Sequence, residues 1–206
     1  MIKIGIDVGS TTAKLVAVDE NDNLLFSKYE RHNAKAKETI LSFLKELLSE
    51  IGDKDISVRI TGSIGMGISE KCSLPFVQEV VAAAKAIQKD YSHVTSMIDI
   101  GGEDAKVVFF NDAEATDLRM NGNCAGGTGA FIDQMAIILG VNIDELNQLA
   151  MNATQVYPIA SRCGVFCKTD IQNLIAKNVS RENIAASIFR AVAVQTVVTL
   201  AHGCDI

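Results

Sequence analysis

Residues 3–8 form a dense apolar run carrying Asp7 near its end, followed by Gly9-Ser10-Thr11-Thr12 and a second β-rich run over 13–19. This reads as a hairpin with a phosphate-sized turn. After Asn21-Asp22-Asn23, residues 24–31 alternate with period two, which predicts a third strand and an opening meander of three antiparallel strands. Between 36 and 51, Ile40, Leu41, Phe43, Leu44, Leu47, Leu48 and Ile51 recur at helical spacing with charged residues between them, and Gly52 stands just past the end. The apolar run 56–61 predicts a short strand, residues 62–67 a glycine-punctuated turn, and 77–89 a helix rich in alanine and valine. The first part of the chain therefore reads βββαβα.

The opening pattern then returns. Runs over 95–100, 105–110 and 113–119 repeat the meander, and Asp99-Ile100-Gly101-Gly102-Glu103-Asp104-Ala105-Lys106 matches Asp7-Val8-Gly9-Ser10-Thr11-Thr12-Ala13-Lys14 at the aspartate, the first glycine, the alanine and the lysine. The offset is 92 positions (99 minus 7), which an internal duplication explains. Helices follow over 128–139 and 143–151. Residues 157–166 read as a loop carrying Cys163, 169–178 as a short helix and 181–202 as one long apolar helix whose stripe from Ile184 to Leu200 is core. The expected boundary between a first lobe, 1–92, and a second, 93–206, is a packed connection near 91–94.

Composition narrows the function classes. At 206 residues with 48% hydrophobic content the chain can bury one large core or two smaller ones. A net charge of -6 offers no basic field for nucleic acid or an acidic membrane, although a phosphate site made of backbone amides does not need one. The longest apolar run, 191–201, is interrupted by Gln195 and threonines and falls short of the roughly 20 residues of a membrane helix. Met1 leads straight into a strand pattern without a charged leader or cleavage site, so the expectation is a cytoplasmic protein. There the five cysteines, Cys72, Cys124, Cys163, Cys167 and Cys204, are thiols or metal ligands rather than disulfides.

A strand ending in Asp-x-Gly before small hydroxylated residues suits a nucleotide. Glycine admits a phosphate to the backbone, amides and hydroxyls hydrogen-bond it, and the aspartate holds magnesium through water. One such turn also occurs in plain hairpins; two in matching positions would grip one polyphosphate across a cleft. In Asn121-Gly122-Asn123-Cys124-Ala125-Gly126-Gly127-Thr128-Gly129 a cysteine abuts a glycine-rich turn that opens a helix. Such glycines let the backbone approach a phosphate or an ion, and a helix N-terminus favours an anion or a thiolate.

The paired motifs and meanders resemble the actin, sugar-kinase and heat-shock-chaperone ATPase superfamily. The resemblance implies an α/β protein of two ribonuclease-H-like (actin-like ATPase) lobes of mixed sheet plus helices. Together with Asn123 to Gly129 and Ser161-Arg162-Cys163-Gly164-Val165-Phe166, the two turns resemble the activators of 2-hydroxyacyl-CoA dehydratases and benzoyl-CoA reductases. That family implies ATP-driven, low-potential electron transfer from a homodimer sharing one 4Fe-4S cluster, with two cysteines from each subunit, here Cys124 and Cys163. The implied donor is a ferredoxin or flavodoxin, and the client is a CoA-ester dehydratase or reductase. Asp7 and Asp99 would position Mg2+, while Gly9, Ser10, Thr11, Thr12, Gly101, Gly102, Gly126, Gly127 and Thr128 would line the phosphates of ATP or ADP. Lys14 and Lys106 either add charge there or are solvated. Glu103 stands where many relatives carry glutamine, and is either a base or a weaker substitute for a water-orienting group.

The cysteine spacing agrees with that reading, since the chain has no CxxC pair and no close set of four, and a two-fold axis would double two isolated ligands. Cys167 is an alternative ligand or a small packed residue; Cys72 and Cys204 are read as buried or incidental thiols. His32, His93 and His202 show no spacing for a metal site or a triad and are expected as surface or core residues. The family continues beyond Ile206 into a strand and an adenosine-holding turn, so the chain is expected to be a fragment with an incomplete second lobe. A small-molecule kinase of the sugar or acetate type and a non-catalytic actin-like nucleotide switch are the alternative functions.

Overall fold

The computed structural model describes residues 1–111, 114–121, 126–160 and 164–204. Two compact units divide the chain, Met1–Tyr91 and Ser92–Ile206.

In the first unit β1 (Ile2–Val8), β2 (Thr12–Val18), β3 (Leu24–Arg31) and β4 (Ile56–Thr61) form one sheet in the order β3-β2-β1-β4. The β1–β2 and β2–β3 pairs are antiparallel, as the meander predicts, while β4 lies parallel to β1. The parallel pair needs a crossover, which α1 (Ala36–Ile51) supplies. Every second residue of β1 (Ile2, Ile4, Ile6, Val8) is buried with Ala13, Leu15 and Ala17 of β2, and α1 lays Ile40, Phe43 and Leu47 into the same core. Burying a side chain such as Phe43 is worth about 2–3 kcal/mol of transfer free energy.

Residues 62–67, read from their glycines as a turn, are only partly so, because α2 (Gly65–Cys72) begins at Gly65. Glycine is a poor helix former, so the local signal favours a turn. Packing decides otherwise: a Cβ at Gly65 would lie 2.9 Å from Ile60 Cγ2, so the helix starts where only glycine allows its approach to the sheet. The helix α3 (Glu79–Asp90) closes the unit.

The second unit opens with the antiparallel strands β5 (Ser96–Ile100), β6 (Ala105–Asn111) and β7 (Glu114–Met120) in that order. The helices α4 (Gly129–Leu139), α5 (Ile143–Met151), α6 (Gly164–Ala176) and α7 (Arg181–Thr196) follow. Their core includes Phe131, Met135, Leu146, Ile171, Ile184 and Ile188. At the start of α5, Asn142 and Glu145 form a reciprocal capping box.

Three expectations in this unit are corrected. The helix expected from residue 169 starts at Gly164, so 164–166 are helical rather than loop. Cys167, Ile171 and Leu174 are all buried at spacings of four and three, so the apolar stripe begins at a thiol that behaves as a small hydrophobe. The long helix to residue 202 ends as an α-helix at Thr196 and continues as a π-helical turn, Val197–Ala201. Arg119 donates from its guanidinium to the carbonyls of both Leu200 and Ala201. Finally, Arg181–Ala201 spans 21 residues at mean hydropathy 1.7, so by length and composition it could cross a membrane, which the shorter run 191–201 had not suggested. Half of that window is buried inside the structure.

Candidate functional site

The two aspartate turns have the same backbone. Val8 pairs with Ala13 and Asp7 with Lys14 across β1–β2; Ile100 pairs with Ala105 and Asp99 with Lys106 across β5–β6. In each turn the glycine amide bonds the carbonyl three residues on, Gly9 to Thr12 at 3.0 Å and Gly101 to Asp104 at 2.8 Å. Duplication of the motif is therefore duplication of a hydrogen-bonded loop.

In the first turn Lys14 Nζ bonds Asp7 Oδ2 at 2.7 Å. Burial alone would lower the lysine's pKa, but the hydrogen bond and charge of Asp7 outweigh it, and the ammonium is held above its ordinary value. The other carboxylate oxygen, Asp7 Oδ1, is buried without a partner, and so is the hydroxyl of Thr61, which stands beside Asp7 in the β1–β4 register. Asp7, Lys14 and Thr61 line a cleft of about 440 Å³. Gly62, at φ 92°, turns directly against this place: a Cβ on it would sit 2.5 Å from Asp7 Oδ1. The amides of Ser10 and Thr11 make no hydrogen bond among the described residues. Buried oxygens without donors are rare inside folds, and beside turn amides left without protein acceptors they fit a phosphate with a hydrated divalent cation.

His32, which the sequence left as an unremarkable histidine, is buried beneath this turn at 4% exposure. Its Nε2 lies 3.0 Å from the Gly9 carbonyl and its backbone N–H bonds the Thr11 carbonyl at 3.2 Å. A carbonyl oxygen only accepts, so Nε2 carries the proton. Thr61 and Gly62 were likewise missed as site residues; a glycine closing a strand was the one local signal, and nothing local marked His32.

The second turn is supported differently. The first amides of α4, Gly129 and Ala130, bond the carbonyls of Gly101 and Gly102 at 2.8 and 2.9 Å. That helix start was expected to face an anion, but these two amides are already spent on the turn. Thr128, its N-cap, is fully buried, and Gly127 adopts φ 83°, where a Cβ would lie 2.9 Å from Gln195 Cγ. Gly126 and Gly127 line a small cavity with Asn121 and Thr196, whose buried hydroxyl has no partner. Lys106 is buried, with Nζ 3.1 Å from Asp104 Oδ2, and Glu103 is exposed on the turn. Gly102 and Glu103 have amides without partners among the described residues, as Ser10 and Thr11 do.

Cys124 and Cys163 lie outside the described residues. Among the described residues no group of three or more His, Cys, Asp or Glu side chains is placed to hold a metal ion. Cys167 is buried with its thiol against the Ala160 carbonyl, whereas Cys72 and Cys204 are exposed rather than buried, Cys204 accepting from Arg119 at 3.0 Å.

The sequence model of the BadF/BadG/BcrA/BcrD ATPase family matches residues 4–203. The 2-hydroxyisocaproyl-CoA dehydratase activator of Clostridioides difficile is 31% identical over 206 residues, covering 94% of this chain and 73% of the relative. Among solved structures, (R)-2-hydroxyglutaryl-CoA dehydratase component A of Acidaminococcus fermentans superposes with a TM-score of 0.90 at 28% identity, covering all of this chain and 80% of that one. The activator of 2-hydroxyisocaproyl-CoA dehydratase from Clostridium difficile with bound ADPNP superposes with a TM-score of 0.88 at 29% identity, covering 100% and 77%. The α/β actin-like ATPase fold expected from the motifs is the fold of this chain.

Proposed function

This chain belongs to the BadF/BadG/BcrA/BcrD ATPase family, and from that premise we propose that it is an ATP-hydrolysing reductive activator. It passes low-potential electrons, received from a ferredoxin or flavodoxin, to a 2-hydroxyacyl-CoA dehydratase or a benzoyl-CoA-reductase-like enzyme. The observation that carries the reading is the duplicated turn, with the same Gly-to-i+3 bond in both copies and unpartnered amides on each. The activator with bound ADPNP supports a nucleotide as the ligand.

Asp7 offers Oδ1 to the hydration shell of Mg2+ while Lys14 neutralises Oδ2, and Asp99 is the corresponding carboxylate of the second turn. The metal would screen phosphate charge and polarise the γ-phosphate. Ser10, Thr11 and Thr12, with Gly102, present backbone and hydroxyl donors to phosphate oxygens, while Gly9 and Gly101, whose amides close the turns, carry no side chain to block the approach. Gly126, Gly127 and Thr128 are buried and lead into the start of α4 that holds the second turn, so they act on the phosphate site through that turn, and the exposed Glu103 is free to orient or deprotonate water. Cys124 and Cys163, doubled in a homodimer, supply the four thiolates of one 4Fe-4S cluster in a cytoplasmic protein.

Anaerobic reconstitution with iron and sulfide tests this. The expected product is a brown dimer holding one cluster per two chains that hydrolyses ATP, and whose Asp7→Asn variant loses magnesium-dependent turnover. A colourless, iron-free monomer that leaves ATP intact overturns the reading.

A further inference from the structure

We propose that His32 is a positioning residue for nucleotide phosphate, setting the Gly9–Ser10 peptide so that the Ser10 N–H points out of the fold as an anion donor. The inference rests on the nucleotide reading above and adds a residue to it. In a trans peptide the C=O and the following N–H point in opposite directions, and the described chain contains no cis peptide. Holding the Gly9 carbonyl inward on His32 Nε2, 3.0 Å away, therefore aims the Ser10 N–H away from the histidine. The backbone of His32 gives a second tie, to the Thr11 carbonyl, and its own carbonyl accepts from the Lys35 amide at 2.7 Å, so the residue is fixed from both sides.

The second turn shows the same device built from other parts. Gly101 occupies the position of Gly9 in the duplicated motif, and its carbonyl is held at 2.8 Å by the Gly129 amide of α4, which aims the Gly102 N–H outward in the same sense. One carbonyl in each turn is thus tied down, by a helix N-terminus in one unit and by an imidazole in the other. Among the described residues no helix amide reaches the Gly9 carbonyl, so the histidine does that work. Left untied, a glycine peptide can flip at small energetic expense and would present its carbonyl, a repulsive group, to a phosphate.

The test is an NMR titration of 15N-labelled full-length chain with Mg-ADP and, separately, with pyrophosphate, following the Ser10 and Gly102 amides. The wild type is expected to shift both. His32→Gln, whose amide nitrogen reaches about where Nε2 lies, retains the Ser10 shift. His32→Phe keeps the ring volume without a donor; it loses the Ser10 shift and binds roughly tenfold more weakly, the scale of one hydrogen bond, while Gly102 still responds. His32→Met is the second donor-free variant, and far-UV circular dichroism identifies which of the two is folded. Wild-type affinity and an intact Ser10 shift in a folded donor-free variant overturn the inference, as does a wild type in which Gly102 responds and Ser10 does not. A wild type in which neither amide responds overturns the nucleotide reading and this inference with it.

Discussion

The turn after β1 and the turn after β5 share sequence, register and the glycine amide bond, yet almost everything beneath them differs. Under the first lie a buried histidine, the left-handed Gly62 and a lysine locked to Asp7; under the second lie the first amides of α4 and a lysine buried beside Asp104. The comparison teaches that the motif encodes the outer surface of the turn, where backbone amides are left for a ligand. How the inner carbonyls are satisfied is open to any donor that the rest of the unit brings near. Buried carbonyls must be paired, but the pairing partner is interchangeable.

Substituting the glycines beneath the two turns separates them most strongly. Gly62→Ala forces a side chain into a positive-φ position against Val8 backbone and Asp7, and is expected to lower stability by about 3 kcal/mol or more in urea titration. Gly129→Ala, whose Cβ meets the Gly101 carbonyl at 3.1 Å, gains helix propensity while crowding that oxygen, and should stay within about 1 kcal/mol of wild type. Equal losses at the two sites would show that the turns are supported alike after all.

Lys14→Met is expected to have a smaller effect. Asp7 then loses its ion pair, and a loss of about 1 kcal/mol is expected after allowing for the partly solvated ammonium. Because the folded-state pKa of Lys14 is raised, its contribution is fully present below 10.5 and is lost as pH rises through the raised value. The difference between wild type and variant should accordingly hold through neutral pH and close in strong alkali. A difference that persists there would mean that packing, not charge, ties Lys14 to the turn.

The smallest effect belongs to Asp22 in the β2–β3 turn, which bonds Lys89 and Lys3 and has its pKa lowered from 3.8 to about 2 by those two hydrogen bonds. Its contribution is present above 3.8 and is lost as pH falls through about 2, so Asp22→Asn should flatten that part of the acid unfolding curve. An unchanged curve would show that this exposed network contributes nothing measurable to the first unit.

Where a residue's role follows from neighbours in the chain, the sequence was sufficient. Apolar runs bounded by turns, the repeated meander and 3.6-residue patterning placed the seven strands of the described residues and most helices, and the alternate burial of Ile2, Ile4, Ile6 and Val8, like that of Ile40, Phe43 and Leu47, follows from spacing alone. The Asp-x-Gly turns were legible for the same reason, their defining bond running only from residue i to i+3. It failed at Gly65, where a glycine signal for a turn gave way to a helix packed against Ile60, and at the start of α6, which was placed at 169 instead of Gly164. The π-helical turn ending α7 coincides with guanidinium contacts from Arg119, some eighty residues earlier in the chain. His32 meets Gly9 across 23 residues of chain, and Thr61 meets Asp7 only through the parallel pairing that α1 makes possible. Amino-acid order by itself determined which backbone turns exist. Which side chains hold their carbonyls, and which oxygens are left unpaired beside them, was decided by strand pairing and helix docking, since both depend on contacts between residues far apart in sequence.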